Sequence, residues 1–80
     1  MSTVVQHGKY TVLCHTRENP REAAHVHVVT ASWEARISLA DGGWMDEPGS
    51  GGAEALRLFV EHRAACVTRW NEHHSTRKVV

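Results

Sequence analysis

Partway along this chain the spacing of apolar residues changes from two to three or four, and this change constrains the fold more than any other feature. Over residues 32–39 (SWEARISL) apolar and polar side chains alternate strictly. Such alternation predicts a strand with one buried face. From Ala53 to about His74 the apolar residues recur at three- and four-residue steps, which predicts one amphipathic helix. The residues of this apolar stripe are Leu56, Phe59, Val60, Ala64, Val67 and Trp70. A chain with strands first and a helix last belongs to the α+β class.

Two earlier segments also have the composition of strands. Residues 9–15 (KYTVLCH) and 25–30 (HVHVVT) are rich in β-branched and aromatic residues, and Asn19-Pro20 marks a loop between them. Asp41-Gly42-Gly43 predicts a reverse turn, after which Trp44-Met45 is a candidate for a short fourth strand. We therefore predict a three- to four-stranded antiparallel sheet with one long C-terminal helix packed on one face.

The length of 80 residues allows one small domain. We expect that domain to cover residues 1–80, with frayed ends over residues 1–8 and 75–80. A chain of this size buries only about 60–65% of its unfolded surface, so the core should be thin. A second copy or a larger protein would supply the missing burial, which leaves a homodimer open.

Charge is balanced over the whole chain but uneven along it. Nine Lys and Arg residues offset nine Asp and Glu residues, which argues against a nucleic-acid binder and against an acidic nucleic-acid mimic. Residues 1–40 carry a net charge of +1, residues 41–56 a net −4 and residues 57–80 a net +3. An acidic segment beside a basic helix favours a protein partner of mixed charge.

The sequence contains no signal for export or for membrane insertion. The N-terminus has no basic region followed by an apolar stretch, and no window approaches about 18 apolar residues. Cys14 and Cys66 lie far apart, and we expect two free, buried thiols rather than a disulfide. We therefore expect a cytoplasmic protein without membrane contact.

Histidine is unusually frequent, at 7 of 80 residues. His25 and His27 fall on the same face of a strand, roughly 6.6 Å apart, and could donate two nitrogen ligands to zinc or copper. Zinc sites need three or four protein ligands, and the nearest further candidates are His15, if its strand is a neighbour, and Glu34 across a hairpin. Because no further ligand motif is present, we predict no metal site and no cofactor. The same two histidines with Arg36 could instead act as acid, base and phosphate stabiliser in a metal-free ribonuclease.

Two groups of side chains are candidates for partner binding. Tryptophan and arginine are favoured at the energetic centres of protein interfaces, and the acidic loop and the helix supply both types. The predicted partner-binding residues are Trp44, Asp46 and Glu47 on the loop and Arg57, Arg63 and Arg69 on the helix.

These motifs together resemble a known family over about residues 10–74. The matching elements are Asn19-Pro20, HVHV at 25–28, EARISL at 34–39, Asp41-Gly42, and a helix with Ala55-Leu56, His62-Arg63 and Trp70-Asn71. In this pattern the chain resembles the small prokaryotic domain-of-unknown-function family numbered 4160. The resemblance implies a compact sheet-plus-helix protein of a prokaryotic host, often encoded beside a second small protein in pairs like those of toxin–antitoxin systems. It implies no catalytic residues.

The expected function is that of a small non-enzymatic inhibitor. In its size, its single domain and its lack of a complete active site, the chain looks like the small anti-CRISPR proteins, which block a CRISPR effector complex by occupying its surface. The alternative is a toxin–antitoxin component, and within it an RNA-cleaving toxin that uses His25 and His27.

Overall fold

Four antiparallel strands followed by two helices make up this chain, in a computed structural model that describes residues 2–15 and 21–79. The strands follow one another across a single sheet in the order β1-β2-β3-β4. The elements are β1 (Ser2–His7), β2 (Tyr10–Cys14), β3 (His25–Val29), β4 (Glu34–Ser38), α1 (Gly52–Glu61) and α2 (Arg63–His73). The predicted α+β class and the antiparallel sheet are thereby confirmed. The Asn19-Pro20 turn lies outside the described residues.

The fourth strand is at the N-terminus and not at Trp44. The sequence indicated a frayed segment over residues 1–8, but Ser2–His7 forms β1 and pairs with β2 through a turn at Gly8, whose φ of 59° favours glycine. Trp44 makes a single bridge with Ile37 and no longer strand. The β-branched run at residues 3–5 is the local signal for β1, and pairing with β2 gives its backbone hydrogen bonds a partner.

The core lies between one face of the sheet and the two helices. In the register of the strands Val12 lies opposite Val28, and Val28 lies opposite Ala35; all three are buried. In β4 the predicted alternation is confirmed from Glu34 to Ile37, because Ala35 and Ile37 are buried and Glu34 is exposed. It is wrong for Ser38, which the pattern placed in water and which is buried. The buried side chains that the helices add are Ala55, Leu58, Phe59, Cys66 and Trp70.

The helical region consists of two helices, whereas the sequence predicted one long helix. His62 separates α1 from α2 with φ −115° and ψ 17°. Its Nδ1 lies 3.0 Å from the carbonyl oxygen of Leu58, and its backbone N–H is shared between the carbonyls of Leu58 and Phe59 at 3.2 and 3.0 Å. The imidazole thus competes with the backbone for a helical acceptor, which tightens the turn and interrupts the helix.

The sequence indicated fraying over residues 75–80, but Arg77 and Val79 are bonded to α2; Val80 lies outside the described residues. The indole N–H of Trp70 donates to the carbonyl oxygen of Arg77 at 2.9 Å. The side-chain amide of Asn71 donates to the carbonyl of Val79 and accepts from its backbone N–H, at 3.1 and 2.7 Å. Residues 77–79 therefore pack along the end of α2.

Neither Cys14 nor Cys66 forms a disulfide and both are buried, as predicted from the sequence. Burial raises the pKa of the Cys66 thiol to about 11. Within residues 2–15 and 21–79, neither helix has the length and apolar character needed to cross a membrane.

Candidate functional site

The sheet face that points away from the helices carries polar side chains on β3 and β4. In the register Leu13 lies opposite His27, and His27 lies opposite Arg36, so the three share this face. Glu34 lies two residues before Arg36 on β4 and is the diagonal neighbour of His27, within reach of a long side chain. Antiparallel pairing of β3 and β4 therefore brings an imidazole and a carboxylate together.

Three side chains with metal-binding atoms meet at this point. Nδ1 of His27 lies 2.9 Å from Oε2 of Glu34. The ring of His15 meets the ring of His27 edge-on, with 4.2 Å between their centroids. One possible ligand atom from each of the three residues lies within 4.8 Å of the other two. We call His15, His27 and Glu34 the three-ligand cluster.

His25, the other histidine that the sequence singled out, lies beside this cluster but outside it. Its side chain is buried, Nδ1 lies 2.7 Å from the carbonyl oxygen of Ala23, and Nε2 lies 3.7 Å from Oε2 of Glu22. Its ring centroid is 5.0 Å from that of His27 and 5.9 Å from that of Trp70. The predicted proximity of His25 and His27 is confirmed by this ring contact, but only His27 belongs to the cluster, and His25 packs against the end of the core.

Arg36 is held by two carboxylates. Its Nε and Nη2 donate to the two carboxylate oxygens of Asp46 at 2.8 and 2.9 Å, and its backbone N–H donates to Asp46 at 3.0 Å. Its Nη1 lies 3.2 Å from Oε2 of Glu22. The hydrogen bonds from Arg36 lower the pKa of Asp46 to about 2, and the bond to Asp46 raises the pKa of Arg36 further above its ordinary value.

This arrangement bears on the ribonuclease hypothesis. That chemistry assigns to Arg36 the stabilisation of a phosphate, and two carboxylates already occupy the guanidinium. His27 is bonded to Glu34, and the Nδ1 of His25 faces a backbone carbonyl. The acid and base roles of His25 and His27 in RNA cleavage stay a prediction.

The predicted contact residues of the loop differ in their surroundings. Trp44 is half-buried, and its ring lies edge-on to Trp33 with 6.0 Å between centroids. Asp46 is bonded to Arg36 as described. Glu47 is exposed and makes no hydrogen bond or ion pair with any residue in the described ranges. Two of the three side chains therefore stabilise the fold, whatever contact they also make with a partner.

The three predicted arginines divide in the same way. Arg63 donates to the carbonyl oxygen of Leu39 at 2.6 Å. Arg69 donates to the Ser2 hydroxyl and to the Thr3 carbonyl, the latter at 3.2 Å. Arg57 is exposed and has no hydrogen bond or ion pair with the described part of the chain. The structure therefore does not bring the six residues together into one surface of unengaged side chains.

A feature that the sequence analysis missed lies on the outer side of α1. Val60 belonged to the predicted apolar stripe, but the structure leaves it 63% exposed. At 3.6 residues per turn Val60 points about 160° away from Leu58, which faces the core, and this angle is the signal that could have identified it. On another side of α1, a groove of about 180 Å³ runs between this helix and the end of β1. The groove is lined by His7, Glu54, Arg57, Leu58 and Glu61.

Comparisons of this chain with family models, with curated proteins and with solved structures give no match. The resemblance to the family numbered 4160 therefore stays a prediction.

Proposed function

We propose that this chain is a non-enzymatic binding protein that occupies the surface of another protein through the outer side of α1. The observation that carries the proposal is the 63% exposure of Val60 among charged side chains. Arg57 lies one turn before Val60, Glu61 is the next residue along the chain, and Glu54 lies one turn before Arg57; all three are exposed. We call Glu54, Arg57, Val60 and Glu61 the contact face.

The contact face can bind without disturbing the fold. None of its charged side chains has a hydrogen bond or ion pair with a described residue, so a partner would break no internal interaction. Burial of an exposed valine removes apolar surface from water and favours association. Arginine is enriched among the residues that dominate binding energy, and the alternation of acidic and basic groups suits a partner of mixed charge.

A CRISPR effector complex is the partner class that we propose for this surface. The chain is one small domain, and small anti-CRISPR inhibitors act by occupying an effector surface. In this role the contact face would bind the effector and exclude its nucleic-acid target or its nuclease.

The test is a phage infection assay. A bacterial strain whose CRISPR system confers immunity to a phage is infected with and without expression of the chain. We expect expression to restore plaque formation by at least about tenfold, and Val60→Asp or Arg57→Glu to abolish this effect.

Matched controls are available on the exposed surface of the same protein. Thr68→Asp adds the same charge at another exposed helical position, and Lys78→Glu makes the same charge reversal in the C-terminal segment. Both should inhibit like the wild type. Intact immunity in the presence of well-expressed wild-type protein would contradict the proposed partner class. Full inhibition by Val60→Asp would contradict the contact face.

A further inference from the structure

We propose that the three-ligand cluster of His15, His27 and Glu34 is a binding site for a divalent transition-metal ion of the zinc class. This inference is independent of the contact face, which lies on α1. It rests on three side chains whose possible ligand atoms already lie within 4.8 Å of one another.

The distances are close to those of a coordinated ion. Zinc binds imidazole nitrogen and carboxylate oxygen at about 2.0–2.2 Å, so two ligand atoms in a tetrahedral site lie about 3.3–3.6 Å apart. The cluster spans 4.8 Å at most, and Nδ1 of His27 is 2.9 Å from the Glu34 carboxylate. Closing the cluster around an ion therefore needs shifts of about 1–1.5 Å. Glu34 is exposed and can supply such a shift by rotating its side chain.

The fold positions each ligand by a different device. The β3–β4 register makes His27 and Glu34 diagonal neighbours. His15 follows the last residue of β2, where the chain leaves the sheet, and its ring lies against that of His27. The backbone carbonyl of His15 accepts a hydrogen bond from Nε2 of His74 at 2.9 Å. The ring of His74 in turn stacks on the buried Trp70 with 3.8 Å between centroids, which anchors this bond to the core.

The local charge favours a cation. Arg36 lies directly opposite His27 in the sheet and would repel a metal ion if it were uncompensated. Asp46 and Glu22 both pair with its guanidinium, and Glu34 adds a third carboxylate. Two carboxylates thus pair with the guanidinium and a third is bonded to His27, so Arg36 and these three carboxylates carry a formal charge of −2.

The ligand types select the class of ion. Imidazole nitrogen suits zinc, copper, nickel and iron, whereas magnesium and calcium prefer sites made of oxygen atoms alone. Two histidines and one carboxylate are also the ligand set of open zinc sites, which keep a fourth position for water or for a further ligand. We therefore expect zinc to bind with one water-accessible position and magnesium not to compete.

A hydrogen bond between His27 and Glu34 without any metal is the competing explanation for their proximity. It explains two of the three side chains but assigns no role to His15, whose ring lies 4.2 Å from His27. The two explanations differ in what the loss of His15 does. A hydrogen-bonded pair would tolerate it, and a metal site would not.

The experiment is a zinc titration of the metal-stripped full chain in competition with a chromophoric chelator. We expect one zinc ion per chain and at least about a tenfold loss of affinity in each of His15→Ala, His27→Ala and Glu34→Gln, since even loss of a group that only supports a ligand costs about 10–100-fold. Cobalt(II) in place of zinc should give visible absorption bands that the same variants lose. Magnesium in millimolar excess should leave the zinc affinity unchanged.

His7→Ala is the matched control, because it removes an exposed histidine at the far end of the sheet. His7 pairs with Tyr10, five residues before His15, which is roughly 16 Å along the strand. This variant should bind zinc like the wild type. Equal losses in His7→Ala and His27→Ala would show diffuse binding to surface histidines and overturn the proposal, and so would wild-type affinity in His15→Ala. If a histidine variant fails to fold, Glu34→Gln at an exposed position still decides the matter.

Discussion

Replacement of Asp46 by Asn separates a structural role of this residue from a role in partner binding. Asp46 accepts three hydrogen bonds from Arg36, two from the guanidinium and one from the backbone N–H. Asn keeps the shape and one acceptor oxygen but loses the negative charge and the second acceptor oxygen, so it cannot accept from both Nε and Nη2 of Arg36 as Asp46 does. Glu47→Gln is the matched control, because it makes the same chemical change at the next residue, which is exposed.

The magnitude follows from the pKa of Asp46, which the hydrogen bonds from Arg36 lower from 3.8 to about 2. At about 1.36 kcal/mol for each pH unit, this difference corresponds to an upper limit of about 2.4 kcal/mol in the free energy of unfolding. The side chain of Asp46 is 39% exposed, so water screens the interaction and about 1–1.5 kcal/mol is the expected contribution. A domain of this size has a total stability of about 4–12 kcal/mol, so the loss is measurable.

The pH dependence has a defined sign. Because folding lowers the pKa of Asp46, the contribution is complete above about pH 4 and is lost as the pH falls toward about 2. Urea unfolding followed by tryptophan fluorescence, at pH 7 and at pH 2.5, should show a gap between wild type and Asp46→Asn that narrows in acid. Glu47→Gln should stay within about 0.5 kcal/mol of the wild type at pH 7.

Two results would refute this reasoning. Equal stabilities of the two variants at pH 7 would mean that the pairing of Asp46 with Arg36 contributes nothing to the fold. A gap that persists undiminished at pH 2.5 would mean that the lost interaction does not depend on the charge of Asp46.

Three further predictions concern the turn before α1, a buried thiol and the toxin alternative. Gly51→Ala should lower the free energy of unfolding in urea by about 2–4 kcal/mol, because φ is +88° and a Cβ would overlap the Tyr10 hydroxyl. Adding Tyr10→Phe to this variant should restore about 1 kcal/mol. A Gly51→Ala protein as stable as the wild type would contradict both the backbone strain and the overlap. Burial raises the pKa of the Cys66 thiol to about 11, so Cys66 should resist iodoacetamide at pH 7.5 in the native protein and react after unfolding in urea. Rapid labelling of Cys66 in the native protein would contradict this prediction. If the chain is an RNA-cleaving toxin, its overexpression should arrest growth and His27→Ala should relieve the arrest without lowering Tm, whereas a harmless wild-type protein would exclude that alternative.

The sequence predicted those parts of the fold that depend on local pattern. Alternation in residues 34–38 reflects the pleat of a strand, and the structure buries Ala35 and Ile37 as that pattern requires. The interruption of the helix at His62 has no such pattern, because it depends on the approach of one imidazole to the Leu58 carbonyl. The strand Ser2–His7 was missed although residues 3–5 are β-branched, because the long-range packing that orders an N-terminal segment beside β2 cannot be read from that short run.

The three-ligand cluster could be predicted only in part. His27 and Glu34 are close because a hairpin register places them on adjacent strands, and the sequence named Glu34 as a candidate on that ground. The position of His15 depends on the path of the chain after β2 and on its bond to His74, 59 residues later. No sequence pattern predicts a contact between two residues so far apart in the chain. His25, which the spacing favoured, is instead engaged by the Ala23 carbonyl.

Charge counting along the sequence overstated the polarity of the molecule for a physical reason. A count of −4 over residues 41–56 treats every carboxylate as available to a partner. In the fold Asp46 is neutralised by Arg36, and the carboxylate of Asp41 accepts the backbone N–H of Gly43 at 2.8 Å. On the basic side, Arg63 is bonded to a backbone carbonyl. On the contact face, Glu54, Arg57 and Glu61 are exposed and of mixed sign, so burial of Val60, rather than long-range attraction, should supply most of the affinity of this face.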